Sequence, residues 1–80
     1  MRITTIKNNQ TIIEYSDGRT VFVSYSTPVA GYFPGRGWLR SAKRHSATTS
    51  RHVSAWLRDS DPFDNAKEVP QAELDRLADE

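Results

Sequence analysis

Hydrophobic and polar positions alternate along the first half of the chain and recur at helical spacing along the second. Residues 2–7 and 11–16 are β-branched runs separated by Asn8-Asn9-Gln10, a polar connector of hairpin length. Asp17-Gly18 then stands between residues 11–16 and 19–26. That dipeptide supplies the positive backbone angles of a two-residue primed turn, so a second hairpin is predicted there. Along residues 20–25, Val21, Val23 and Tyr25 point one way while Phe22 and Ser24 point the other. A strand apolar on both sides belongs at the centre of a sheet.

Beyond Thr27-Pro28 the chain reads Val29-Ala30-Gly31-Tyr32-Phe33, then Pro34-Gly35-Arg36-Gly37, then Trp38-Leu39-Arg40-Ser41-Ala42. Pro28 has no amide for a ladder, which predicts an edge or a bulge at that point. Pro34-Gly35 predicts a further hairpin with Arg36 at its tip. Four or five antiparallel strands are expected in all. At Thr48-Thr49-Ser50 a hydroxyl can accept from the free amides of a helical first turn. Val53, Trp56 and Leu57 follow at i, i+3 and i+4. These positions predict one short helix, about residues 50–58, that packs Trp56 onto the sheet. Asp61-Pro62-Phe63-Asp64-Asn65 ends it, and Phe63 is expected to pin that loop to the core. Pro70 fits the first turn of a second helix, in which Leu74, Leu77 and Ala78 form a narrow apolar stripe amid charge. So narrow a stripe predicts weak docking. The fold class is therefore α+β: a curved antiparallel sheet packed by one short helix, plus a loosely held C-terminal helix.

Eighty residues make one small domain, too limited to enclose a large substrate cavity or a dinucleotide cofactor. The absence of cysteine rules out disulfides and thiolate metal sites and fits a reducing, intracellular setting. No apolar run approaches the roughly 20 residues that span a bilayer, and residues 1–5 lack a signal-peptide core. A soluble, cytoplasmic protein is expected. Net charge is +1, yet it divides sharply along the chain. Residues 1–58 form a basic region in which nine Lys/Arg face Glu14 and Asp17, and residues 59–80 form an acidic one. Such asymmetry points to a charged partner, or to a tail that folds back on its own basic face.

Enzymatic chemistry finds little support in the residues. His45 and His52 are the two histidines, and a metal site would need carboxylates brought in from the acidic end. No metal and no cofactor are expected. Ser46, Thr48, Thr49 and Ser50 near these histidines invite a nucleophile-base reading, but neither a nucleophile elbow nor an oxyanion loop accompanies them. Helix capping accounts for the same hydroxyls. Gly31, Gly35 and Gly37 match no phosphate-binding fingerprint and read as turn residues.

The segment from Tyr32 to Arg51 interleaves Tyr32, Phe33, Trp38 and His45 with Arg36, Arg40, Lys43, Arg44 and Arg51. Such a mixture suits neutralising phosphates and stacking bases. The competing reading places the aromatics in the core and the cations in water.

Ser24-Tyr25-Ser26-Thr27-Pro28-Val29-Ala30, then Gly35-Arg36-Gly37, then Ser46-Ala47-Thr48-Thr49-Ser50-Arg51-His52 with Trp56-Leu57 resembles a group of short uncharacterised proteins found mostly in phages and prophages. By class, small cysteine-free α+β phage products are similar to anti-CRISPR proteins, which bind an effector complex and stop it from engaging DNA. This resemblance implies a non-enzymatic inhibitor whose partner is a host multi-subunit complex, acting as a monomer or weak homodimer. Two contacts are expected as alternatives. Asp59, Asp61, Asp64 and Glu68 could occupy a phosphate-binding channel, which is positively charged in such effectors. Arg36, Trp38, Arg40, Lys43 and Arg44 could instead anchor on an acidic protein patch, since Arg and Trp are favoured interface anchors. A small nucleic-acid-binding accessory protein using residues 32–51 is the alternative function, and a phage assembly adaptor the third.

Overall fold

The computed structural model describes residues 2–7, 9–43, 45–60 and 66–79. Strands β1 (Arg2–Lys7), β2 (Gln10–Glu14), β3 (Thr20–Ser24), β4 (Thr27–Phe33) and β5 (Gly37–Ser41) pair antiparallel in the order in which they occur. Helix α1 (Ala47–Ser60) follows, then strand β6 (Lys67–Val69), which lies parallel to β5, and helix α2 (Gln71–Asp79). The α+β class, the curved sheet and the C-terminal helix are as the sequence predicts. The sheet gains a sixth strand from a segment that reads as acidic loop. Lys67-Glu68-Val69 is too short for a period to show, and its pairing to Leu39, Arg40 and Ser41 is made across α1. Phe63 lies outside the described residues.

β3 is internal to the sheet, and its alternation serves two cores. Phe22 faces α1 together with Val29, Ala30, Val53, Trp56 and Leu57. Val21 faces α2 with Phe33, Leu39, Val69 and Leu74. The sheet is therefore the middle of three layers. Trp56 stacks on Phe22 with ring centroids 5.1 Å apart, which realises the expected contact of α1 with the sheet. Fully burying aromatic and aliphatic side chains of this size contributes about 1.5–3 kcal/mol each.

Several turns depart from expectation. Asp17-Gly18 does not form a two-residue turn. The Tyr15 amide donates to Arg19 O (2.9 Å) and the Gly18 amide to Tyr15 O (3.2 Å), enclosing a three-residue loop in which Gly18 takes φ 97°. The two-residue loop falls instead at Tyr25-Ser26, between the paired residues Ser24 and Thr27. Tyr25, expected to continue the row of Val21 and Val23, lies beyond the strand at φ 59° and is 57% exposed. Pro28 does mark a bulge: Phe22 pairs with Ala30 and Val23 with Pro28, so Val29 is the extra residue. That irregularity turns two consecutive side chains, Val29 and Ala30, into the α1 core. Gly31 is no turn residue. It sits within β4, where an added Cβ would lie 2.5 Å from Thr20 O.

α1 is longer than predicted and starts earlier. Ser46 caps it, its Oγ accepting from the Thr49 amide at 3.2 Å and its carbonyl from the Ser50 amide at 2.9 Å. α2 is not loosely held. Leu74 is fully buried, and the helix end is fastened by the β2–β3 loop: Tyr15 Oη donates to Ala78 O at 2.8 Å, and Arg19 Nη1 to Leu77 O at 2.8 Å. The Cα radius of gyration is 11.3 Å, close to the ~11.6 Å of a chain this long with every element packed. Among the described residues no helix is long and apolar enough to cross a membrane.

Candidate interaction surface

Among the described residues, those expected to meet a partner do not form one patch. Arg36, at the β4–β5 turn, reaches α2 and pairs with Glu73 at 3.1 Å, and Arg76 approaches the same carboxylate at 3.7 Å. Trp38, on β5, is half-buried: its ring meets Tyr32 edge-on at 5.2 Å and Trp56 at 5.7 Å. It belongs to the rim of the α1 core. Arg40 projects on the same face as Trp38, beside its register partner Glu68. Lys43 is exposed, and its amide donates to Ser41 Oγ at 3.1 Å. Asp59 is exposed in the last turn of α1. Arg44, Asp61 and Asp64 lie outside the described residues. The structure thus brings Arg40 and Glu68 together and sends Arg36 to the opposite layer.

The charge split along the chain is partly resolved within the molecule. α2 is laid on the sheet, and three of its groups, Glu73 and the carbonyls of Leu77 and Ala78, engage Arg36, Arg19 and Tyr15 respectively. Arg19 also closes on Asp17 with both carboxylate oxygens (3.1 and 2.9 Å) and lies 4.1 Å from the Tyr15 ring centroid. The hydrogen bond from the Arg19 side chain, then that from its amide, holds the Asp17 carboxyl below the usual carboxylate range.

Arg51, named in the basic and aromatic segment, remains outward together with Arg58, which sequence reasoning did not single out. Arg51 and Arg58 are exposed on α1, seven residues apart. Seven residues are nearly two turns, so both lie on one stripe about 10 Å apart along the axis. The inner stripe of Thr49, Val53, Trp56 and Leu57 is buried against the sheet. The i, i+7 spacing was the available signal.

The hydroxyl-histidine pairs are internal. Ser24 Oγ lies 3.4 Å from Thr49 Oγ1 and 3.4 Å from His52 Nδ1, and Ser24 is 2% exposed. Ser46 donates to Thr49 at 3.2 Å, so Thr49 has its own proton for Ser24 and Ser24 has its proton for His52. This chain fastens β3 to α1. A second set gathers on Ser41. Gln71 Nε2 donates to Pro28 O (2.7 Å) and Asp75 Oδ1 (2.9 Å), which fixes its amide and turns Oε1 to the Ser41 hydroxyl at 2.6 Å. With that proton committed, Ser41 can only accept from His45 Nε2 at 3.3 Å. The Ser41 proton is thus held by Gln71, whereas Ser24 and His52 stay within hydrogen-bond distance in the chain that joins β3 to α1.

An open groove of ≈ 560 Å³ runs between Ser26, Thr27, Pro28 and Lys43 on one side and Gln71, Asp75, Ala78 and Asp79 on the other. A second, of ≈ 420 Å³, lies among Asp17, Arg19, Phe33, Pro34, Arg36 and Leu77. Among the described residues, no group of three or more His, Asp or Glu is placed to hold a metal ion.

Residues 1–76 match the model of a family of unknown function, DUF8033. The chain belongs to that family. The match takes in the acidic segment and most of α2 as well as the basic part, so the DUF8033 unit includes all six strands and the packing of both helices. No curated protein and no solved structure matches this DUF8033 chain.

Proposed function

We propose that this protein is a non-enzymatic inhibitor of phage type that binds a host defence complex, an anti-CRISPR that keeps nucleic acid from a multi-subunit effector in the host cytoplasm. The observation that supports this reading is the exposed pair Arg51 and Arg58 on one stripe of α1, while Arg36 and Trp38 are engaged by Glu73 and by the aromatic cluster of Tyr32 and Trp56. Contact through residues 32–51 loses two of its anchors in this way, so the protein and the nucleic-acid readings both turn to the cations that stay outward. What remains outward is a rigid helix carrying Arg51 and Arg58, with Arg40 and Lys43 nearby in sequence. A preorganised helix loses little side-chain and backbone freedom on docking, and arginine is favoured at interface centres. The ridge suits an acidic patch on an effector subunit, and the bulk of the domain then blocks the channel.

The test is a binding assay with a purified multi-subunit CRISPR effector and labelled target DNA. The expected result is a nuclease-resistant complex with effector subunits and a stoichiometric loss of DNA binding. Association that disappears on nuclease treatment points to the nucleic-acid reading instead. Retention of binding and inhibition by an Arg51→Glu, Arg58→Glu double variant removes the basic ridge as the contact.

A further inference from the structure

The backbone bonds of the sheet determine which groups β1 turns to its free edge. Between β2 and β3, the Tyr15 amide bonds to Arg19 O and the Tyr25 amide to Asn9 O. Both fall in the β2–β3 register, in which Gln10 pairs with Ser24 and Glu14 with Thr20. The odd-numbered residues of β2 therefore direct their amides and carbonyls to β3, and Gln10, Ile12 and Glu14 direct theirs to β1. Arg2 and Thr4, opposite Glu14 and Ile12, use their backbone groups within this sheet. Ile3 and Thr5 turn theirs outward, and no described strand lies beyond β1.

We propose that β1 pairs antiparallel with β1 of a second copy, with a two-fold axis at Thr4. In this register Ile3 lies opposite Thr5 of the second copy, and the amides and carbonyls of both residues find partners in both directions. The axis is normal to the sheet, so paired residues must share a face, and Ile3 and Thr5 do. Charge selects the same arrangement. The central residues Ile3, Thr4 and Thr5 are uncharged, and the two Arg2 side chains fall at opposite ends, about 14 Å apart along the strand at 3.4 Å per residue. That separation exceeds the ~8 Å screening length at physiological salt, and each Arg2 already has Glu14 at 4.0 Å. Ile3, 60% exposed in one copy, gains a cross-strand neighbour. β1 contains no proline or acidic residue, and its register shift lies past Thr5, leaving the central stretch regular. An edge stretch free of charge, proline and bulge is a template for pairing, and the charges of β1, Arg2 and Lys7, stand at its two ends. This inference is independent of the proposed inhibitor function.

Light scattering on a sizing column, run from micromolar to millimolar protein, tests it. The expected mass rises with concentration from 9.1 kDa toward twice that value. Thr5→Pro removes an outward amide while sparing the bonds of Arg2 and Thr4 to β2, so it should hold the mass at 9.1 kDa with an unchanged circular dichroism spectrum. Because the chain lacks cysteine, Thr4→Cys reports the register. Residues on the axis form a non-hydrogen-bonded pair with Cα atoms about 4.5 Å apart, within disulfide reach, whereas two copies of Arg2→Cys are not. Covalent dimer from Thr4→Cys and little from Arg2→Cys is expected on mild oxidation. A wild-type mass of 9.1 kDa throughout, a Thr5→Pro variant that still doubles, or equal cross-linking at the two positions overturns the proposal.

Discussion

Tyr15 and Ala78, 63 positions apart in sequence, are joined by a hydrogen bond from the Tyr15 hydroxyl to the Ala78 carbonyl at 2.8 Å. With the bond from Arg19 to Leu77 O, it gives the last turn of α2 the donors that a helix C-terminus lacks. Tyr15→Phe should cost about 1 kcal/mol and Arg19→Ala about 2 kcal/mol, the usual range for neutral and charge-assisted bonds. Amide hydrogen exchange should report the loss first at Leu77 and Ala78, with the β3–β4 ladder still protected. Uniform loss across all strands would contradict local fastening.

Gly31→Ala should destabilise the domain by on the order of 2–3 kcal/mol, because the new methyl meets a backbone carbonyl 2.5 Å away and the Phe33 ring at 3.0 Å. Urea unfolding measures it. Gly35→Ala meets no such neighbour but must hold φ 84°, so its cost arises from backbone strain and should be about 1 kcal/mol.

Acid should weaken the β2–β3 loop in a defined window. Asp17 has a lowered folded-state pKa, so its contribution is complete above the unfolded value of about 3.9 and is lost as pH falls through the lower folded value. Asp17→Asn should therefore reduce the thermal midpoint slightly at pH 7, with the difference from wild type vanishing well below pH 3.9. A constant difference across that range would show that ionisation is not the cause.

If nucleic acid is bound through the exposed cations Lys43, Arg51 and Arg58 with the half-buried Arg40, the slope of log affinity against log salt should lie near −3 to −4, at about −0.9 per phosphate. Arg51→Glu should then flatten the slope by about one or more. Binding that does not respond to salt excludes this alternative, while leaving the inhibitor reading to its own test.

Most of the fold is legible where local pattern and tertiary contact agree. The strands, the central place of β3, the bulge at Pro28 and the packing of Trp56 follow from periodicity and from proline's missing amide. What was not legible depends on partners far along the chain. β6 is three residues whose strand state is conferred by β5. α2 looked weak because three apolar residues make a narrow stripe, but Leu74 enters a socket formed by Val21, Phe33, Leu39 and Val69, which no local window contains. The Asp17-Gly18 loop is longer than the two-residue turn expected, with Arg19 paired to Asp17 across it, and a two-residue loop stands at Tyr25-Ser26 where the strand was expected to continue. The candidate surface was least legible. Arg36 and Trp38 were chosen by residue type, and type does not reveal that Glu73 and Trp56 already hold them.

The uninterrupted strand order from β1 to β5 has a kinetic consequence. Each strand finds its neighbour across a short loop, so the meander can assemble with little loop-closure entropy and at a rate typical of low contact order. During synthesis, however, the side of the sheet that bears Val21, Phe33 and Leu39 stays bare until Leu74 has left the ribosome. A stop codon ahead of residue 70 should yield a chain that assembles its hairpins quickly and then clumps.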